Sequence, residues 1–201
     1  MGTRGAVGFR IDGQDKLAYN HFDSYPDGLG KDVVEFVRGW LKDGRDKMRE
    51  AARRLRVVDT NVPPTAADKE ALAPHADLGV SNGSLDDWYC LFRKLQGDLD
   101  GYLKAGVMPG DGASFVGDSL FCEWAYVVNL DDFTLEVYRG FQKAPHSNGR
   151  YASMPIVEED RRKNGIGTVY HPVALIETFP LDDIGPNWLA QIESHEKDDE
   201  E

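Results

Sequence analysis

Short apolar runs, rich in β-branched and aromatic residues and bounded by turn residues, stand near both ends of the chain. Such runs are typical of β-strands. The first pair flanks the dipeptide Asp12-Gly13, which favours a two-residue hairpin turn. A later pair flanks a turn of Asn and Asp residues, and a last strand is predicted after Pro172. The predicted strands cover residues 5–11, 16–19, 120–128, 133–138 and 173–179.

The middle of the chain has apolar residues at spacings of three, four and seven, which is the pattern of an amphipathic helix. One helix is predicted over residues 31–55, where two glycines allow a bend. A second is predicted over residues 84–103. Shorter helices are predicted to end at Leu72 and near Ile192.

Strands cluster at the two ends of the chain and helices lie between them. This order favours an α+β fold, with a mainly antiparallel sheet and helices packed on it, and an αββα sandwich is one arrangement of that class. A doubly wound parallel sheet would need regular strand–helix alternation, which the pattern lacks. We expect a single globular domain over residues 1–192 and a disordered acidic tail over residues 193–201. Residues 106–117 and 142–166 are expected to form loops.

Charge narrows the classes of partner. The 201 residues include 23 Lys and Arg against 35 Asp and Glu, a net charge of −12 with histidine neutral. This excess argues against a nucleic-acid partner, because phosphate contacts need clustered Lys and Arg. No run approaches the roughly 20 apolar residues of a membrane span, and the first residues lack the apolar core of a signal peptide. We therefore expect a cytoplasmic protein that contacts no membrane.

The two cysteines, Cys90 and Cys122, both have apolar and aromatic neighbours. A secreted disulfide scaffold would use more cysteines, so these two are expected to be reduced and buried. No set of Cys and His has the spacing of a zinc site, and the paired Asp131 and Asp132 fit a turn better than a calcium site. We expect neither a metal nor another cofactor.

Reactive side chains are most concentrated just after the first predicted hairpin, at Asn20, His21, Asp23, Ser24 and Tyr25. Neighbours in an extended chain point to opposite faces, so these residues are not expected to form a nucleophile–base relay among themselves. Two interpretations remain open. Asp23 and Ser24 can hold a turn while His21 and Tyr25 pack on the sheet, or the segment can form a functional site with residues from elsewhere.

The opening residues Thr3-Arg4-Gly5-Ala6-Val7-Gly8-Phe9-Arg10, the hairpin, and Tyr19-Asn20-His21-Phe22-Asp23-Ser24-Tyr25-Pro26 resemble a family of uncharacterised bacterial and phage proteins. The same stretch resembles the start of N-terminal-nucleophile hydrolases of the bile-acid-hydrolase and penicillin-acylase kind. That resemblance implies hydrolysis of an amide bond in a small-molecule or peptide substrate. It implies Thr3 as the nucleophile, Arg4 as a substrate contact, Asp23 as the group that holds the free α-amino group, and Asn20 as a residue that shapes the pocket.

The chemistry of such a site is consistent, because an N-terminal amine has a pKa of about 8 and can act as the base for its own side chain. Gly2 precedes Thr3, so this chemistry requires cleavage in front of Thr3. His21, Ser24 and Tyr25 would then bind the substrate. The alternative is a non-catalytic interaction or regulatory protein, bacterial or from a phage, whose acidic surface meets a basic protein partner. The substrate, the partner and the oligomeric state remain open.

Overall fold

The computed structural model describes residues 2–156 and 169–198. Its strands are β1 (Gly5–Ile11), β2 (Gln14–Asn20), β3 (Arg56–Val58), β4 (Val107–Pro109), β5 (Trp124–Asn129), β6 (Thr134–Arg139) and β7 (Ala174–Pro180). Its helices are α1 (Lys31–Leu41), α2 (Arg45–Arg54), α3 (Ala66–Leu72), α4 (Trp88–Leu91), α5 (Leu99–Ala105), α6 (Gly112–Phe115) and α7 (Trp188–Asp198). The predicted α+β class is confirmed.

The main sheet has five strands in the order β2-β1-β5-β6-β7. All its neighbouring pairs are antiparallel except β1 and β5, which run parallel. The first hairpin turns at Asp12 and Gly13, whose φ angles of 52° and 75° are the left-handed values that a tight hairpin turn requires. β3 and β4 form a separate parallel ladder.

Side chains alternate across β1 and β5, so the sheet has a buried core on each face. Large side chains such as Phe9, Trp124 and Tyr126 face the core that also contains the apolar residues of α1 and α2. On the opposite face β1 and β5 present the smaller residues Ala6, Ala125 and Val127, and α6, Tyr151 and Val173 cover them. Because a helix and loops already bury this second face, the described strands do not build the two stacked sheets of an αββα sandwich.

The two long predicted helices are each divided. The φ angle of Gly44 is 99°, in the left-handed region, and this residue separates α1 from α2. Gly97, with φ of 83°, breaks the second predicted helix, and the Asp98 carboxylate then caps α5 by accepting from the Gly101 amide. The apolar spacing continues across both breaks because the chain keeps the same side toward the core. The spacing alone therefore predicted one long helix where the structure has separate shorter helices.

The end of the chain also differs from the prediction. α7 continues to Asp198, whereas the sequence indicated a disordered tail from residue 193. Ile192 is fully buried and anchors the helix, and His195 Nε2 lies 3.5 Å from a Glu177 carboxylate oxygen on β7. Residues 199–201, and residues 157–166 of the predicted 142–166 loop, lie outside the described residues. Every helix of the described part is too short or too polar to cross a bilayer.

Candidate functional site

The segment after β2 is held in place by buried polar contacts. The Ser24 backbone N–H donates to the carbonyl oxygen of Thr3, at 3.1 Å. The Ser24 side chain is fully buried, and its hydroxyl oxygen accepts from Asn20 Nδ2 at 2.9 Å. The same Asn20 amide group donates to the carbonyl oxygen of Phe22. Asp23 takes a left-handed φ of 57°, which turns the chain between these contacts. The side chains that this segment presents to solvent therefore have defined positions.

The structure brings together only some of the residues proposed as catalytic. Thr3 is 2% exposed, and its Oγ1 has no hydrogen-bond partner among the described residues. The Arg4 guanidinium lies 5.0 Å from the centre of the Phe121 ring. Asp23 is exposed and faces a cavity that Asn20 also lines but Thr3 does not. Thr3 and Ser24 are thus neighbours through their backbones.

His21 and Tyr25, predicted as substrate-binding residues, lie on the surface of this segment. His21 Nδ1 is 2.8 Å from the Tyr19 hydroxyl, and its ring contacts Phe22 and Tyr89 edge-on. Burial, together with the positive charges of Arg93 and Arg4, lowers the pKa of His21 and so favours the neutral imidazole. Tyr25 is 47% exposed.

A cavity of about 960 Å³ opens between this segment, α1 and the start of α5. We call it the acidic cavity. Its wall combines an apolar and aromatic surface with carboxylates from two distant parts of the chain. The apolar residues are Phe22, Leu29, Val33, Phe36, Trp40 and Leu99. The charged residues are Asp23, Asp32, Glu35, Asp43, Lys47, Asp98, Asp100 and Lys104.

Both lysines of the acidic cavity are already paired. Lys47 forms an ion pair with Asp43, and Lys104 forms one with Asp100. The remaining carboxylates, among them Asp32, form no ion pair with any residue that the structure describes. Burial, and the negative charges of Glu35, Asp98 and Asp23, raise the pKa of Asp32. The cavity therefore carries uncompensated negative charge against an aromatic wall.

Sequence reasoning missed the acidic cavity. Acidic residues on the polar side of an amphipathic helix usually indicate only a solvated face. One local signal was present, because Asp32, Glu35, Phe36, Gly39 and Trp40 recur at spacings of one to four and mix acidic with aromatic side chains on one helix face. Nothing in the local sequence of residues 96–104 indicates that they line this cavity.

The described residues contain no group of three or more His, Cys, Asp or Glu side chains placed to hold a metal ion. A scan against protein-family models found no matching family. Searches of the curated proteins and of the solved structures found no similar protein. The function is therefore inferred from the chemistry of the cavities themselves.

Proposed function

We propose that this protein is a non-catalytic binding protein that holds a basic segment of a protein partner in the acidic cavity. The observation that supports this most directly is the set of unpaired carboxylates around Asp32, beside the rings of Phe36 and Trp40. Lys and Arg side chains have apolar stems and cationic heads, which suit a wall of this kind. Aromatic faces also attract cations directly.

The dimensions favour a segment with several basic residues over a single side chain. The cavity has a volume of about 960 Å³ and is lined by residues 20–47 on one side and residues 96–104 on the other. A partly exposed ion pair contributes at most about 1 kcal/mol, so several contacts are needed for useful affinity. The overall charge of −12 adds long-range attraction that raises the rate of encounter with a basic partner.

The proposal is tested by titrating a short lysine-rich peptide, and the same peptide with glutamine in place of lysine, into the full chain by calorimetry. We expect only the lysine-rich peptide to bind. The double variant Asp32→Asn/Glu35→Gln should bind it about tenfold more weakly, since two ion pairs are lost.

The matched control is Glu70→Gln/Glu193→Gln, which removes the same charge from exposed positions outside the cavity. It should bind the peptide nearly as well as the unmodified chain. Equal weakening of both double variants would show that net charge alone attracts the peptide, and the proposal would be rejected.

One observation favours a second candidate, an amide hydrolase with Thr3 as nucleophile. The Thr3 hydroxyl is buried without a partner among the described residues. A buried hydroxyl of this kind lowers the stability of the fold by about 1–3 kcal/mol. In this reaction the free amine takes the proton from Oγ1 as Oγ1 bonds to the amide carbon. The proton then passes to the leaving amine, and water releases the acyl group.

N-terminal sequencing and intact-mass measurement test this second candidate. An active preparation must begin at Thr3, because the amine of Thr3 is otherwise in a peptide bond with Gly2. Thr3→Ser should then keep hydrolysis of an amide substrate and Thr3→Ala should abolish it. Hydrolysis by protein that still carries Gly2 would overturn the assignment.

A further inference from the structure

A second cavity, of about 490 Å³, shares one lining residue, Gln96, with the acidic cavity. We call it the aromatic cavity. Flat rings form much of its wall, and its volume falls within the range of small-molecule sites. The rings belong to Tyr19, Trp88, Tyr89, Phe92 and Tyr102.

These rings support one another and have fixed positions. The rings of Trp88 and Phe92 are stacked, with centres 5.4 Å apart and planes 14° from parallel. Phe92 meets Tyr102 edge-on at 6.0 Å. The Trp88 indole N–H donates to the Val62 carbonyl oxygen at 2.6 Å, which holds the indole in one orientation. The cavity is therefore preformed, and its walls favour a flat ligand.

Two polar side chains, Tyr102 and Asp111, lie among these rings in the cavity wall. Tyr102 is fully buried, and its hydroxyl has no partner among the described residues. Asp111 accepts the backbone N–H of Tyr19 at 2.9 Å through one carboxylate oxygen, Oδ1. Tyr102 and Asp111 line the same cavity, where burial and the negative charge of Asp111 raise the pKa of Tyr102. A buried hydroxyl without a partner is rare, and a ligand can supply that partner.

We propose that the aromatic cavity binds a planar nitrogen heterocycle of nucleobase size, with N–H groups donating to Asp111 and a ring or carbonyl acceptor facing the Tyr102 hydroxyl. A purely apolar ring would leave the buried Tyr102 hydroxyl without a partner and would offer no donor to Asp111, which is a basis for discrimination. The cavity is also lined by Asp87, whose negative charge repels an attached phosphate, whereas the charge of Asp86 is paired with Lys69. A free base or nucleoside therefore fits better than a nucleotide.

The probes are guanosine and adenosine, each compared with its 5′-monophosphate, in titrations of the full chain followed by tryptophan fluorescence and saturation-transfer NMR. At least one nucleoside should bind, and its monophosphate should bind more weakly. Asp111→Asn keeps an acceptor for the Tyr19 amide and should weaken nucleoside binding about tenfold or more. Tyr102→Phe should weaken it several-fold, the usual effect of one hydrogen bond.

Thermal unfolding of the same variants shows whether Tyr102 and Asp111 bind the ligand or only stabilise the fold. Tyr102→Phe removes an unpartnered buried hydroxyl, so its melting temperature should be unchanged or higher while binding falls. The matched control Tyr170→Phe alters a partly exposed tyrosine that does not line the cavity, and it should bind as the unmodified chain does. Failure of both nucleosides to bind the folded protein, or unchanged binding in both cavity variants, would overturn the proposal.

Discussion

The hydroxyl of Tyr126 donates a hydrogen bond of 3.0 Å to the carbonyl oxygen of Ser24, 102 residues away along the chain. This contact joins the centre of the sheet, on β5, to the segment that follows β2. Gly30 packs against the same tyrosine, since a Cβ there would lie 3.2 Å from its ring and hydroxyl. The position of one wall of the acidic cavity is thus set by the sheet.

Ser24→Ala should destabilise the fold. The substitution removes the hydroxyl oxygen that accepts from Asn20 Nδ2 in a fully buried setting, and it leaves the Asn20 amide partly unsatisfied. We expect the free energy of unfolding to fall by about 1–2 kcal/mol, measured by urea denaturation. Ser194→Ala, at an exposed position, is the control and should change it by less than about 0.5 kcal/mol. Equal midpoints for the two variants would contradict this account of the segment.

Arg150→Met should be the more damaging change. Arg150 donates to Asp15 at 3.1 Å and to Glu136, which is only 7% exposed. Without the guanidinium, the Glu136 charge stays buried with no cation beside it, and we expect a loss of about 2–4 kcal/mol in unfolding free energy. Adding Glu136→Gln should recover part of the loss in a double-mutant cycle. If the two substitutions prove additive, the ion pair does not account for the effect.

Asp111→Asn should stabilise the protein at neutral pH. Burial raises the pKa of Asp111 in the folded state, so the folded protein keeps this proton at pH values where the unfolded chain has lost it. The ionised carboxylate therefore opposes folding above the folded-state pKa, and this penalty fades as the pH falls toward the unfolded value. The variant should resist urea better than the unmodified chain at pH 7, and the difference should shrink at pH 4. A difference that grows as the pH is lowered would contradict the assignment.

Cys90 and Cys122 should react slowly with a thiol reagent in the native protein. Both are fully buried free thiols, as the sequence predicted. Burial also raises the pKa of the Cys122 thiol, so little reactive thiolate forms there. Ellman's reagent at pH 8 should label neither thiol quickly without denaturant and both in urea. Rapid labelling of both in the native state would show that the core opens easily.

Several features could be predicted from the sequence because their causes are local. The Asp12-Gly13 turn requires left-handed backbone angles that these residues adopt readily, so the first hairpin is where the sequence placed it. The α+β class followed from the order of strand and helix patterns. The burial of both cysteines followed from their apolar neighbours. The ends of the helices were harder to predict, because the breaks at Gly44 and Gly97 do not interrupt the apolar spacing.

The two cavities could not be predicted from the sequence, because they form only when distant parts of the chain pack together. The negative charge of Asp98 raises the pKa of Asp32, although more than sixty residues separate the two in the chain. The Tyr19 backbone N–H likewise donates to the distant Asp111 carboxylate. The pKa of a carboxyl group and the partners of a hydroxyl depend on distances of a few ångströms, which are set when the sheet and helices pack. The sequence by itself determined the composition, the local turns and the order of elements. Only packing decided which charges meet, because spatial neighbours that are far apart in the chain leave no local pattern.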